Sequence, residues 1–230
     1  MIDVHDATKR IKGATVLDCV NMTVPAGAIV GLAGVNGSGK TMLLRALAGL
    51  IKLDEGFVEI EGKRLREDVD FPPSIGLLIE NPAFLDSRTG RENLRIIALV
   101  GSSSQAWSSR AKEQADDAAV QALELVGLDP DDKRKFRKYS LGMKQRLGLA
   151  AAVMGWPRLV LLDEPTNALD RAGVARFEDI MGMLRERGST VVLASHDASL
   201  LERHADVVYL IESGRIADAD IMPRKGASHA

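Results

Sequence analysis

The octapeptide Gly34-Val35-Asn36-Gly37-Ser38-Gly39-Lys40-Thr41 restricts this chain more than any other stretch, because its glycines admit backbone conformations that side chains forbid. It fills the pattern G-x-x-x-x-G-K-[ST]. An apolar, strand-like run at 28–32 precedes it and a helix-like run at 42–50 follows. A glycine turn between strand and helix gathers backbone N–H groups into an anion nest, to which the helix adds the positive end of its dipole. Lys40 is placed to reach the β- and γ-phosphates, and the Thr41 hydroxyl to ligate Mg²⁺. The motif predicts a site for a nucleoside triphosphate with magnesium.

The rest of the chain supplies a sheet for that site. Alternation at 2–5 and 16–24 predicts antiparallel strands, closed by a turn at Pro25-Ala26-Gly27. Short continuous apolar runs at 28–32, 159–162, 190–194 and 207–211 predict parallel strands buried on both faces, each followed by the polar or glycine residues that line a nucleotide site. Helical periodicity covers 42–50, 174–187 with Gly188 as a stop, and 198–203. Together these give an α/β fold with a β-rich N-terminal part. From 83 to 154 the pattern turns mostly helical, at 91–100, 111–126 and 141–153, which reads as an inserted helical subdomain. Residues 101–105 read as a serine-rich loop, the charged run 129–138 as solvated surface, and 215–230 as a fraying tail.

A second motif ends the run 159–162: the adjacent acids Asp163 and Glu164. At the end of a buried strand, Asp163 suits Mg²⁺ and Glu164 suits activation of a water; the pair could also cap the turn before Pro165.

Bulk properties set limits. A chain of 230 residues holds one large domain or a core with an insert. A formal charge of −2 gives no electrostatic case for nucleic acid, so no nucleic-acid partner is expected. The single cysteine, Cys19, cannot form an internal disulfide and lies in an alternating stretch, which predicts a buried thiol and an intracellular protein. Residues 1–10 contain no signal-like apolar segment, and the tract 147–162 is interrupted by Trp156, Pro157 and Arg158, short of a membrane span.

Residues Tyr139-Ser140-Leu141-Gly142-Met143-Lys144-Gln145-Arg146 resemble the signature of the ATP-binding-cassette (ABC) ATPases in its L-G-M-K-Q form. Asn167-Ala168-Leu169-Asp170 resembles that family's D-loop, and Ser195-His196-Asp197 its switch histidine. The resemblance runs from Met1 to about Ala219. It implies a P-loop NTPase (RecA-like) core at 1–82 and 155–220, an N-terminal antiparallel β subdomain, an inserted α-helical subdomain at 83–154 and a short polar tail at 221–230. It implies the cofactors ATP and Mg²⁺ and, when ATP is bound, a head-to-tail homodimer or pair with another ATPase subunit, in which each ATP lies between Lys40 with its loop and the other subunit's Ser140 to Gln145. A helix N-terminus with the Ser140 hydroxyl and the Gly142 N–H suits a γ-phosphate, as it also suits an ordinary serine-capped surface helix. The resemblance implies that His196 contacts the γ-phosphate and, with Glu164, holds the attacking water, and that Asp170 organises the opposite subunit's site. On the bare sequence Asp170 equally suits a helix N-cap.

The L-G-M-K-Q form, with Ile79-Glu80-Asn81-Pro82-Ala83-Phe84, is similar to the branch of bacterial exporters that includes bacitracin-type and lantibiotic-type transporters. That likeness implies a separate transmembrane permease docking near Phe84, Leu85, Arg91 and Leu94, and a place on the inner face of the cell membrane; a soluble cassette in translation or DNA maintenance is the alternative. Two positions depart from the family. Ile11 stands where an aromatic usually stacks on adenine, which predicts weak base discrimination. Glu80 replaces the Q-loop glutamine, which predicts a metal contact and a steep magnesium dependence; the acid also suits a loop cap beside Pro82.

Overall fold

The computed structural model describes residues 1–80, 83–101 and 108–221. Strands β1 (Ile2–Ile11), β2 (Ala14–Val24), β4 (Glu55–Ile60) and β5 (Lys63–Arg64) form an antiparallel sheet in the order β2-β1-β4-β5. A second sheet has the order β10-β9-β3-β8-β7-β6, from β3 (Ile29–Ala33), β6 (Ile75–Leu78), β7 (Leu159–Asp163), β8 (Thr190–Ser195), β9 (Val207–Glu212) and β10 (Arg215–Ile221). Strands β9 to β6 in that order are parallel, and β10 is antiparallel to β9.

The continuous apolar runs serve two cores at once. Val30, Leu32, Leu159, Leu161, Val192 and Ala194 face the antiparallel sheet and helix α1 (Lys40–Leu47). Ile29, Val160, Leu162, Val191 and Leu193 face the opposite core, which contains residues of α2 (Gly90–Gly101), α3 (Ser109–Leu125), α4 (Leu141–Val153), α5 (Arg171–Glu186) and α6 (Ala198–His204). Successive residues of a strand point to opposite faces, so a strand sandwiched between layers must be apolar throughout. The helices start where side chains replace missing backbone partners. Ser108 accepts from the Ala111 N–H, Ser140 from Met143, Asp170 from Gly173, and Asp197 from Ser199 and Leu200. At the start of α2, Glu92 accepts from the Thr89 N–H and Thr89 from that of Glu92, a reciprocal cap. That bond, then the Lys135 ammonium, holds the Glu92 carboxyl down at about 2.

The C-terminal turn of helix α4 packs closely on β6. A Cβ on Gly76 would sit 1.7 Å from the Ala152 carbonyl oxygen, so only glycine permits this approach. The contact seats the helix that begins at Ser140 against the edge of the six-stranded sheet.

Several expectations change. Cys19 is exposed, and its thiol donates to Asp6 at 3.3 Å. The buried positions of β2 pass from Leu17 to Val20, leaving two consecutive outward residues, and Asp6 and Cys19 both have positive φ. A β-bulge therefore breaks the alternation and turns the thiol out. The stretch from 215 does not fray at its start: Arg215–Ile221 is the edge strand β10, joined to β9 by Ser213-Gly214, both with positive φ, as a tight hairpin requires. Leu94 is fully buried and is a core residue, not a docking contact. In the charged run, Lys133, Arg137 and Lys138 are exposed as expected, but Phe136 is buried and packs edge-on against Phe84 at 5.2 Å. Asn81, Pro82, the serine-rich stretch 102–105 and the tail 222–230 lie outside the described residues. Among the described residues no helix is long and apolar enough to cross a membrane.

Candidate functional site

Strand β3 ends at Ala33, and residues 34–39 turn the chain into α1. Two of the glycines are obligatory for packing. A Cβ on Gly34, at φ +149, would lie 2.4 Å from the Ile211 oxygen, and one on Gly39, at φ +115, would lie 2.9 Å from the Val16 oxygen. The loop is thus wedged between β9 and β2. The turn of the β9–β10 hairpin locks it: Gly214 N–H donates to the Ser38 oxygen at 2.7 Å, and Gly214 oxygen accepts from Asp18 N–H at 2.9 Å. Val35 is exposed, as are Asn36 and Gly37, whereas Ser38 is buried with its hydroxyl oxygen unpartnered.

Lys40 opens α1 and is buried, with only 5% of its side chain exposed. Its ammonium donates to the Gly34 and Val35 carbonyls at 2.6 and 3.1 Å and lies 4.0 Å from the Glu164 carboxylate. The next residue reaches across to β7: the Thr41 hydroxyl donates to Asp163 at 2.6 Å. Burial raises the Asp163 carboxyl above its ordinary 3.8; the charges of Glu164 and Glu80 push the same way, against the Thr41 hydrogen bond and Lys40.

Glu164 follows the last strand residue with φ +46, and its N–H donates to the Ala194 oxygen at 2.9 Å. Both of its carboxylate oxygens meet His196, at 2.8 Å from Nδ1 and 3.0 Å from the backbone N–H. Gln145 is buried, and its amide donates to the Glu164 and Pro165 carbonyls at 3.2 and 3.1 Å. The signature helix α4 is thereby pinned to the turn that carries Glu164.

One cleft of about 780 Å³ has Asn36, Gly37, Gly39, Lys40 and Thr41 on one wall, Asp163, Glu164, Gln145 and Asn167 on another, and Ile11, Lys12 and Val16 at the β1–β2 end; Gly34, Val35, Ser38 and His196 are not among its lining residues, His196 meeting it through Glu164. Glu80 is also on the cleft, but its carboxylate is paired to Arg45 at 2.7 Å. Ser140, Gly142 and Asp170 are not among its lining residues. Ser140 caps α4, Gly142 lies close under the Ala168 carbonyl, and Asp170 caps α5 while pairing with Arg146 at 3.1 Å. Gln145 therefore serves its own chain's cleft, while Ser140 and Asp170 stand outside it. Sequence reasoning missed Arg45. The signal was present, since Arg45 follows Thr41 by four residues and so shares its helix face.

The donor set suits a hard divalent cation: a hydroxyl and a carboxylate side by side, both oxygen. Among the described residues no three His, Cys, Asp or Glu side chains cluster to hold a metal alone, so phosphate and water would have to complete the shell.

A glycine loop on the end of β3, a lysine and threonine at a helix start, and a carboxylate pair at the end of the parallel strand β7, one strand beyond β8, together define a P-loop nucleoside-triphosphatase cassette. The model of the ABC transporter family matches residues 17–167. The uncharacterised ABC transporter ATP-binding protein YybJ of Bacillus subtilis (strain 168) is 41% identical over 96% of this chain and 96% of its own length. The bacitracin transport ATP-binding protein BcrA of Enterococcus faecalis is 37% identical over 95% of this chain and 68% of its own. The lantibiotic transport ATP-binding protein SrtF of Streptococcus pyogenes is 33% identical over 94% and 89%. This chain belongs to the ABC transporter family and is an ATPase of that family. The fold agrees. A dimeric ATP-binding cassette in a post-hydrolysis state with ADP and Pi superimposes with a TM-score of 0.87 at 23% identity, over 98% of this chain and all of that one.

Proposed function

We propose that this chain is the magnesium-dependent ATP-hydrolysing subunit of an exporter for an antimicrobial peptide or drug, working as a head-to-tail dimer on a separate permease at the inner face of the cell membrane. The observation that carries the nucleotide chemistry is the 2.6 Å contact between Thr41 and Asp163, 122 residues apart in sequence. It sets the two side chains best suited to Mg²⁺ at the helix start that faces the phosphates. When bound, Mg²⁺ would neutralise charge on the phosphate oxygens, with Thr41, Asp163 and, through its carboxylate, Glu80 as its protein contacts.

The side chains of this chain divide the remaining work. The amides of residues 34–39 and the Lys40 ammonium bind the phosphates, Lys40 exchanging its bonds to the Gly34 and Val35 carbonyls for phosphate oxygens. Glu164 takes a proton from the attacking water and His196 holds its carboxylate in place. Gln145 fixes the Glu164 peptide from α4. The stations of Ser140, Gly142 and Asp170 outside the cleft fit a role at a second subunit's nucleotide. The helical block at 83–154, with Leu85 half exposed beside Phe84, is the docking side for the permease. A peptide antibiotic as cargo is supported by the likeness to the bacitracin and lantibiotic transport proteins.

Affinity capture of the tagged protein from gently solubilised cells tests the reading. Recovery of a small integral membrane protein supports it. Recovery of ribosomes, with no membrane protein, would favour the soluble alternative.

A further inference from the structure

We propose that Arg45 is a positioning residue for Glu80: it neutralises this acid on the cleft wall while magnesium is absent and yields it to the metal when nucleotide is bound. The inference rests on the nucleotide site proposed above.

The lining of the cleft carries three carboxylates, Glu80, Asp163 and Glu164, against the two ammonium groups of Lys12 and Lys40. A metal-free triphosphate entering such a site meets more like than opposite charge. Asp163 and Glu164 are held by Thr41 and His196. Glu80 is held by Arg45, at 2.7 Å, and by no other side chain among the described residues. Arg45 springs from α1, the same helix as Lys40 and Thr41 and one turn beyond Thr41, so its guanidinium is rooted in the phosphate-binding element. The pair is a third to a half exposed, which keeps it weak enough to exchange. Glu80 itself sits at φ +57, a conformation uncommon outside glycine, asparagine and aspartate, so the backbone here points a long acidic side chain to one chosen place.

The test measures binding rather than turnover. The affinity of a fluorescent ATP analogue is read by anisotropy on the full chain, in EDTA and in Mg²⁺. The proteins are the parent, Arg45→Met, Arg45→Lys, and Arg45→Met combined with Glu80→Gln. Arg45→Met is expected to weaken binding in EDTA by about fivefold, the worth of one partly exposed charge pair, and to leave affinity in Mg²⁺ equal or higher. Arg45→Lys should bind like the parent, and Glu80→Gln should restore the metal-free affinity lost in Arg45→Met. Equal losses in both buffers that Glu80→Gln does not restore would make Arg45 a structural residue and overturn the proposal, as would no change in either buffer. A parent that binds no nucleotide in either buffer overturns the triphosphate site itself, and the role of the pair with it.

Discussion

Glu164 and His196 are joined twice, through the imidazole Nδ1 at 2.8 Å and the backbone N–H at 3.0 Å, so the carboxylate has no rotational freedom left. A base fixed in this way loses its function, but not its place, when made an amide. Glu164→Gln should lower ATP turnover by ~10²–10⁴-fold, the usual contribution of a general base, while retaining nucleotide binding. Size-exclusion chromatography with Mg-ATP should then find a dimer that the parent shows only transiently. Turnover at the parental rate would place the base elsewhere.

The base end of the cleft is aliphatic. Ile11 is 38% exposed at the end of β1, with Val16 as its cleft neighbour on β2. It can cover a ring face without the offset stacking of an aromatic. ATP and GTP should therefore bind within about tenfold of each other, a difference of ~1.4 kcal/mol. Ile11→Tyr should tighten ATP binding by ~0.5–1.5 kcal/mol. A hundredfold preference for ATP in a competition assay with the parent would mean that another residue reads the base.

Asp163 couples stability to chemistry. Its folded carboxyl titrates above the ordinary 3.8, chiefly through burial, so the folded protein binds this proton more tightly than the unfolded chain. The cost of ionisation accordingly builds as pH rises from 3.8 through the raised value and is complete above it. In metal-free protein, Asp163→Asn should melt higher than the parent at pH 7, an advantage that fades as pH falls toward 3.8. The amide still accepts from Thr41. The same variant should lose the stabilisation that Mg-ATP confers on the parent. Scanning fluorimetry across pH checks both, and a lower melting temperature at pH 7 contradicts the assignment.

Two glycine-to-alanine changes should have opposite signs. At Gly76 the added methyl would strike the Ala152 carbonyl, so α4 must lift from β6, at a cost of ~1–3 kcal/mol. At Gly182, inside α5, nothing lies within 4 Å of the new Cβ, and the gain in helix propensity is ~1 kcal/mol. Chemical denaturation of both variants decides. Equal midpoints would mean that α4 does not bear on β6 as described.

Much of this was legible beforehand because it is local. The octapeptide from Gly34 to Thr41 carries its own backbone geometry, the runs at 159–162 and 190–194 read as strands buried on both faces and are such strands, and Ser140 and Asp170 cap helices by short-range hydrogen bonds. The hairpin at Ser213-Gly214 was missed although 207–211 was read as a strand: the dipeptide favours positive φ, but the polar residues after it carry no apolar run, and their strand forms only by pairing with β9. Cys19 was misread because a bulge shifts the alternation by one residue, and which residue is extra depends on the pairing with β1.

The amino-acid order by itself determined which chemical groups this ATPase possesses and on which local elements they ride, since periodicity, capping and glycine turns act over a few residues. Only the tertiary structure decided distances: Thr41 against Asp163, both oxygens of Glu164 against His196, and Glu80 against Arg45 rather than facing the metal position alone. Those separations follow from the β7-β8-β3 strand order and the packing of α4 on β6. They are sums of many small contacts across the whole chain, which no single stretch of sequence contains.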